Sequence, residues 1–473
     1  MHRLTEIEVA SINIIHNPYS KKAKSIFWTW LAANISFLAI AYGAFILNFE
    51  VSFIYLVFAT IIGTVFSFLI VGISSLAGKK SNAPTMTLSR ATFGVNGNKL
   101  PGFLTYLLLV GWETVLVALA TLACRTVFER LGYFDKNLAS VFGFLVSAGL
   151  IIISAVIGYH LILRVQKVLS IATLVLTLGF ILLSLEKIDF SKIVNQNNVS
   201  ASGFISVIIF TFTGIGLGWV NCAADYSRYI FKSVSNKSVV GWTVFSASLV
   251  PIFMVIYGSV LASSDAKLRE QIAIDPIGAL TNILPSWYLI PFAIVAVLGL
   301  VGGAILDLYS SGIALVALGV PIKRHQAAFI DGIIMTLGTI YFVWIADNFF
   351  LPFQGFLITL GVPIAAWSGI WVADILIRKK GYSEQDLFNS AGRYGSINWK
   401  SISILVVASF IGFGFVTNSF ATGLEWQGYF LNLFGGKSGT WAAANIGVIL
   451  ALILGFLGHI TFGRKEILRQ ESS

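Results

Sequence analysis

The sequence predicts an all-α polytopic membrane protein with about twelve transmembrane helices. Hydrophobic residues make up 57% of the 473 residues and charged residues only 11%, whereas a soluble domain carries about 25% charged residues. A helix needs about 20 mostly apolar residues to cross a bilayer, and the chain holds twelve such segments. We number them one to twelve: 27–49, 52–77, 101–124, 138–160, 163–185, 202–223, 240–263, 287–319, 325–346, 350–376, 400–420 and 440–463.

The basic residues predict the orientation of these segments. We number each loop after the segment that precedes it. Of the 31 Lys and Arg residues, 23 lie in the N-terminal tail, the even-numbered loops and the C-terminal tail. Loops rich in Lys and Arg stay in the cytoplasm. We therefore expect both termini in the cytoplasm and the protein in the plasma membrane. The net charge of +10 then reflects topology and contact with anionic lipid, and no nucleic-acid partner is expected.

Five regions follow along the chain. Residues 1–26 form a cytoplasmic N-terminal tail, 27–377 a ten-helix core and 378–400 a cytoplasmic loop. Residues 401–463 form two peripheral transmembrane helices, and 464–473 form a cytoplasmic C-terminal tail.

Segment six predicts an interrupted helix. Gly214, Gly216 and Gly218 occupy every second position, and each glycine inside a helix costs roughly 1 kcal/mol relative to alanine. Close helix packing is the alternative, but small-residue packing motifs recur every four residues. An unwound stretch beside a cavity is typical of transporters built from two inverted repeats.

In that class of fold the first helix of each five-helix repeat is broken, so segment one should match segment six. Its small and polar residues Ala32, Ala33, Asn34 and Ser36 cluster in the first half of the segment. The breaking signal is weaker here, because no run of glycines accompanies them.

Two carboxylates stand alone in long apolar segments, Glu113 in segment three and Asp307 in segment eight. An ionisable group at mid-bilayer costs about 2.5–3.5 kcal/mol, so it normally lines a substrate or ion pathway. Asp307, Ser310 and Ser311 share one helix face, where they could hold a small cation or a polar ring. Pairing of Asp307 with a neighbouring helix is the alternative. Gly303, one turn earlier, would let a ligand approach the backbone.

Trp112 and Glu113 are adjacent, so their side chains point about 100° apart and only one can face a cavity squarely. Two roles are open for Trp112: its indole could stack on a planar heterocycle, or it could only pack against neighbouring helices. Two roles are open for Glu113, a proton carrier or a neutral acid that braces two helices. Asp331 and Asp374 lie near helix ends, where we expect hydrated carboxylates without a special role.

The sequence contains no pattern typical of an enzyme. Phosphate-binding loops, metal-ligand spacings and nucleophile elbows are absent from it. We expect no catalytic residues, no cofactor and no metal apart from a possible coupling Na⁺.

Four motifs resemble the nucleobase–cation symporter family, in its purine–cytosine permease branch. They are LSRATFGVNG (88–97), VGWETV (110–115), GWVNCAADYSRY (218–229) and LDLYSSG (306–312). The resemblance implies a 5+5 inverted-repeat core with broken helices one and six, plus two peripheral helices. It also implies import of a nucleobase of cytosine or purine type, or a related planar heterocycle, coupled to H⁺ or Na⁺ by alternating access. An amine or amino-acid cation symporter of the same fold is the alternative.

The resemblance also implies site residues. Trp112 matches a stacking tryptophan, and Asp307 lies where relatives often have a substrate-binding asparagine. Leu116 stands where relatives often carry an amide. The predicted substrate-binding residues are Asn34, Trp112, Glu113, Gly214, Gly216, Trp219, Gly303 and Asp307. The predicted residues for cation binding or coupling are Ala33, Asn34, Glu113, Asp307, Ser310 and Ser311. The expected partners are the substrate and the lipid bilayer, and the oligomeric state is left open.

Overall fold

The computed structural model describes residues 12–16, 18, 22–157, 159–194, 200–322, 324–418 and 423–472. All regular secondary structure within these ranges is helical. Nine helices among the described residues are long and apolar enough to cross a membrane, and the count is ten when a bent pair in segment one is taken as one span. Two shorter apolar helices, Phe329–Ile345 and Trp399–Phe413, fall on segments nine and eleven.

The helices follow the predicted order. Segment one contains Phe27–Asn34 and Leu38–Ile46, and segments two to five contain Phe53–Ser81, Lys99–Arg130, Lys136–Ile157 and Tyr159–Ser184. Segments six to ten contain Ala201–Ser227, Asn236–Ser264, Leu289–Ala317, Arg324–Ile340 and Phe350–Ile377. Segment eleven is Trp399–Phe413, and segment twelve is Gly447–Gly458, which continues through His459–Gly463 into Arg464–Ser472. Short helices between the segments include Thr85–Leu88, Arg90–Phe93 and Ala266–Ile274.

Segments three, eight and ten form the centre of the molecule. In the apolar stretch of each of these helices, 83%, 78% and 83% of the residues are buried. In segments four and five, the corresponding shares are 33% and 28%. Segment eight packs along segment three, and both halves of segment one pack on segment seven. Segments eleven and twelve pack on each other and on segment ten. The apolar faces left exposed on the outer segments are the faces that lipid would cover.

Segment one is broken as predicted. Its two helices meet at an angle of 63°, because Ile35 adopts an extended conformation (φ −89°, ψ 91°) directly after Asn34. The hydroxyl of Ser36 accepts a hydrogen bond from the N–H of Leu38 at 3.2 Å. This bond satisfies one of the free N–H groups at the start of the second helix.

Segment six differs from its prediction, because it remains one continuous helical span from Ala201 to Ser227. The chain changes from α-helix to a π-helix at Phe212–Gly216, then to a 3-10 helix at Leu217–Cys222. Such changes of helix type often mark functional sites. A Cβ on Gly216 would lie 2.1 Å from Oγ of Ser67 in segment two. Gly216 therefore permits close helix packing, which was the alternative interpretation of this glycine.

Candidate substrate cavity

A cavity of about 70 Å³ lies where segment one breaks. This volume is several times the roughly 10–15 Å³ that one water molecule requires. Segments one, three, six, seven and eight all contribute to its wall. The lining residues are Ala33, Asn34, Ser36, Leu38, Ala39, Tyr42, Trp112, Leu116, Gly214, Ile215, Gly218, Trp219, Pro251 and Asp307.

The break in segment one brings two helix ends to this wall. Asn34 is the last residue of the first helix, and its side-chain N–H donates to the carbonyl of Trp30 at 2.9 Å. Leu38 begins the second helix. The last carbonyls of one helix and the first N–H groups of the next lack helical partners, so both kinds of backbone group are present beside the cavity.

Tyr42 connects segment one to the π-helical part of segment six. Its hydroxyl donates to the carbonyl oxygen of Gly214 at 3.1 Å, and both residues line the cavity. The ring of Tyr42 also stacks on Phe353 of segment ten, with centroids 6.0 Å apart. The hydrogen bond joins the second helix of segment one to segment six at the cavity wall, and the ring contact joins it to segment ten.

Two tryptophans line the cavity from different segments. Trp112 makes edge contacts with Phe353 and Phe356, at centroid distances of 5.6 and 6.0 Å. A Cβ on Gly218 would lie 3.0 Å from Nε1 of Trp112, so the glycine gives the indole its space. Trp219 makes an edge contact with Trp30 at 5.7 Å.

Asp307 is the charged residue of the cavity wall. Its side chain is 3% exposed, and no hydrogen bond joins its carboxyl group to another residue in the part of the chain that the structure describes. Among the residues that the structure describes, the cavity lining contains no Lys, Arg or His to neutralise it. A buried carboxylate normally has a charged partner or several donors, so Asp307 is available to a ligand.

The cavity gathers six of the eleven predicted site residues and leaves out five. Ala33, Asn34, Trp112, Gly214, Trp219 and Asp307 line it, whereas Glu113, Gly216, Gly303, Ser310 and Ser311 do not. A Cβ on Gly303 would meet the side chain of Leu116 at 3.2 Å and the carbonyl of Ala33 at 3.4 Å. Gly303 therefore allows segment eight to approach the end of the first helix.

The two serines of segment eight are engaged elsewhere. Ser310 shares a hydrogen bond of 2.8 Å with the hydroxyl of Tyr226 in segment six. Ser311 donates to Oδ2 of Asp331 in segment nine at 2.9 Å. Glu113 also lies outside the cavity, with 0% exposure and no hydrogen bond to either carboxyl oxygen among the described residues.

The expectation that Asp331 and Asp374 are hydrated was wrong, since both are 0% exposed. Asp331 accepts a hydrogen bond from the hydroxyl of Tyr106 at 2.6 Å as well as the one from Ser311. Asp374 accepts two hydrogen bonds from Arg378, at 2.9 and 3.0 Å. Position near a helix end did not imply contact with water, because neighbouring segments cover both groups.

Sequence reasoning missed several wall residues. Tyr42 and Leu38 are four residues apart, hence on one face of the second helix of segment one, and this spacing could have placed both at the wall. Pro251 lies inside the helix of segment seven, where it removes one backbone hydrogen bond. An interior proline in an apolar segment was a second available signal.

The sequence matches a family model described as permease for cytosine/purines, uracil, thiamine, allantoin, over residues 19–442. The candidate purine-cytosine permease YxlA of Bacillus subtilis (strain 168) is 22% identical over 433 residues, which is 89% of each chain. The purine-cytosine permease FCY2 of Saccharomyces cerevisiae is 25% identical over 247 residues, 51% of this chain and 44% of that relative.

A solved structure shares the fold. Mhp1, a nucleobase-cation-symport-1 family transporter, was solved in a closed conformation with bromovinylhydantoin bound, and it superimposes with a TM-score of 0.70. The two chains are 16% identical, and the match covers 98% of this chain and 99% of Mhp1. These relatives are permeases and transporters, not enzymes. The chain is therefore a multi-pass membrane protein that belongs to the family of permeases for cytosine/purines, uracil, thiamine and allantoin.

Proposed function

We propose that this protein is a secondary active symporter that imports a nucleobase, of cytosine or purine type, or a related planar heterocycle. Alternating access of the cavity would move the substrate, and H⁺ or Na⁺ would supply the driving force. The observation that supports this proposal most directly is Asp307. Its carboxylate has no hydrogen-bond partner in the described part of the chain, and it lies in a cavity lined by Trp112 and Trp219.

The cavity wall suits the chemistry of a base. Aromatic side chains stack on any planar ring, and one stacked base contributes about 1–3 kcal/mol. Asp307 lines a cavity that is large enough for several water molecules, where its carboxylate can be ionised. An ionised carboxylate accepts hydrogen bonds but donates none, so Asp307 would bind ring or exocyclic N–H groups. Asn34 can donate and accept, which would serve the carbonyl and N–H groups along another edge of the ring.

For a coupling Na⁺, we assign the site to groups around the break in segment one, whereas a coupling H⁺ would bind to a carboxyl group. The predicted cation residues Ala33, Asn34 and Asp307 line the cavity, where free backbone carbonyls add oxygen atoms. Ser310 and Ser311 do not line the cavity and are bonded to Tyr226 and Asp331, so a cation at the break would bind without their side chains in this conformation.

Alternating access would require the ends of segments six and eight to separate. Arg228 at the end of segment six donates to the hydroxyl of Tyr309 at 2.7 Å, and Tyr226 donates to the carbonyl of Leu306 at 2.7 Å. We propose that the protein lies in the plasma membrane with both termini in the cytoplasm. In that orientation, these bonds would close the path from the cavity to the cytoplasm.

A second candidate is an amine or amino-acid cation symporter of the same fold. The unpaired carboxylate of Asp307 supports this candidate as well, because it would also pair with a substrate ammonium group. We favour the nucleobase because two indole rings from different segments line the cavity, and such flat surfaces stack on a planar ring.

Uptake by the purified protein in liposomes tests the proposal. Labelled cytosine, adenine, hypoxanthine and uracil would be compared with a hydantoin, an amine and an amino acid, each under a separate H⁺ or Na⁺ gradient. We expect accumulation of one base above its external concentration under one of the two gradients. Accumulation of the amine or amino acid alone would select the second candidate. Uptake that only equilibrates would indicate a channel.

A further inference from the structure

A second polar cluster lies outside the cavity, between segments three, eight and nine. It consists of Tyr106 and Glu113 on segment three, Ser311 on segment eight and Asp331 on segment nine. Tyr106 and Ser311 donate hydrogen bonds to separate oxygens of Asp331, at 2.6 and 2.9 Å. Glu113 follows Tyr106 by seven residues, two turns along the same face of segment three. On that face it is a neighbour of Asp331, of the Ser311 hydroxyl and, more weakly, of Asp307. Tyr106 is its titratable neighbour on segment three.

The two carboxyl groups of this cluster have unequal partners. Asp331 has two hydroxyl donors that can stabilise a negative charge. Glu113 is 0% exposed, and neither of its oxygens has a partner within hydrogen-bond distance in the described ranges. The hydroxyl of Ser311 also faces Glu113, but it donates to Asp331. A buried carboxylate without donors is strongly disfavoured, and two adjacent negative charges in an apolar site repel each other. The cluster therefore favours one proton on Glu113 and one negative charge on Asp331.

We propose that Glu113 and Asp331 together form one proton-binding site, separate from the substrate cavity, and that this site couples proton movement to transport. The inference rests on the proposed function and adds the identity of the coupling ion and the place where it binds. One proton binds to a carboxyl oxygen of Glu113 from water on one side of the membrane and leaves to water on the other side. A proton requires no further ligands, whereas Na⁺ would need several converging oxygen atoms.

The fold connects this site to the cavity through segment eight. Ser311 follows Asp307 by four residues, so the two side chains share a helix face. Thr114, next to Glu113, is packed closely on segment nine, because a Cβ on Gly338 would lie 2.4 Å from its Cγ2. Any shift of segment nine relative to segments three and eight therefore changes the separation of Glu113 and Asp331. Opening of the core would in this way release the proton.

Glu113→Gln and Asp331→Asn in the full-length protein test the site. Two readouts separate coupling from substrate recognition: exchange of labelled base at equal pH on both sides, and accumulation driven by an imposed pH gradient. Glu129→Gln, an exposed acid on the same segment, is the matched control. We expect both test variants to exchange base, and we expect gradient-driven accumulation to fall by about tenfold or more. The control should accumulate base as the wild type does.

The outcomes are distinct. Full accumulation by Glu113→Gln would overturn the proposal, as would a wild type that ignores the pH gradient and responds to Na⁺. A wild type that neither binds nor exchanges any base would instead reject the proposed function. If a single variant fails to fold, thermal unfolding of the purified protein will show it, and the other variant then carries the test.

The double variant tests whether the two residues act on one proton. Residues that act as a unit give effects that do not add. We expect Glu113→Gln/Asp331→Asn to lose no more accumulation than the more impaired single variant. Losses that multiply would mean two independent sites and would overturn the shared site.

Discussion

Asp307 and Glu113 are alike in the sequence and different in the fold. Each is a lone carboxylate in an apolar segment, and neither has a hydrogen-bond partner among the residues whose positions are described. Asp307 faces the cavity, whereas Glu113 is enclosed between segments three, eight and nine. One fold can therefore place the same chemical group in two environments: one where a ligand can reach it, and one where a carboxyl group without donors favours its protonated form.

The largest expected effect is that of Asp307→Asn on substrate affinity. A hydrogen bond to a charged group contributes about 1.5–3 kcal/mol, so we expect affinity to fall by roughly 10- to 150-fold. Equilibrium binding of labelled base to the purified protein measures this change. Glu113→Gln should bind with nearly wild-type affinity, and equal losses for the two variants would contradict the division of tasks.

Removal of the stacking surface should come next. Trp112→Ala should weaken binding by about 1–3 kcal/mol, the contribution of one stacked base, and Trp112→Phe should recover part of the loss. The same binding assay measures both variants. Trp399→Ala, at an exposed position of segment eleven, is the control. Unchanged affinity in Trp112→Ala would show that this indole only packs on Phe353 and Phe356.

A smaller effect is expected from Gly218→Ala. The new Cβ would lie 3.0 Å from Nε1 of Trp112, so the indole must shift slightly from its position in the cavity wall. We expect a cost of about 1 kcal/mol and a several-fold loss of affinity. Gly241→Ala is the matched control, because no atom lies within 4 Å of its added Cβ. Equal behaviour of the two variants would mean that Trp112 adjusts freely.

The smallest effect should be that of Tyr42→Phe, which removes the hydrogen bond to Gly214 and keeps the ring. We expect a loss of about 0.5–1.5 kcal/mol in the free energy of unfolding, with affinity nearly unchanged. A shift in the thermal unfolding midpoint measures it, and Tyr55→Phe at an exposed ring is the control. A large loss of affinity instead would place the Tyr42 hydroxyl in direct contact with substrate.

The sequence was sufficient to predict the helical membrane fold and to single out Glu113 and Asp307, which are both buried. It also predicted that Trp112 and Glu113 face different directions, because adjacent helical residues must. It could not say which of them faces the cavity, since this depends on how segment three is rotated against segments eight and nine. Asp331 was misjudged for the same reason: the partners that bury it, Tyr106 and Ser311, belong to other segments.

Segments one and six show a second feature that the sequence could not predict, the position of the larger helix interruption. Three alternating glycines predicted the larger interruption in segment six, yet the 63° bend lies in segment one. One extended residue, Ile35, and one serine, Ser36, that accepts a hydrogen bond from the next helix lie at this bend. Close contact of Gly216 with Ser67 accompanies a helix that changes type without ending. Residue composition therefore indicated where the backbone is irregular, but tertiary contacts decided how.

The bend in segment one also gives the cavity a permanent electric field. The first helix ends at Asn34 with its negative pole, and the second starts at Leu38 with its positive pole, each equivalent to about half an elementary charge. An uncharged ring with a large dipole moment would be turned into a single orientation by these two poles, whereas a nonpolar ring of the same shape would not.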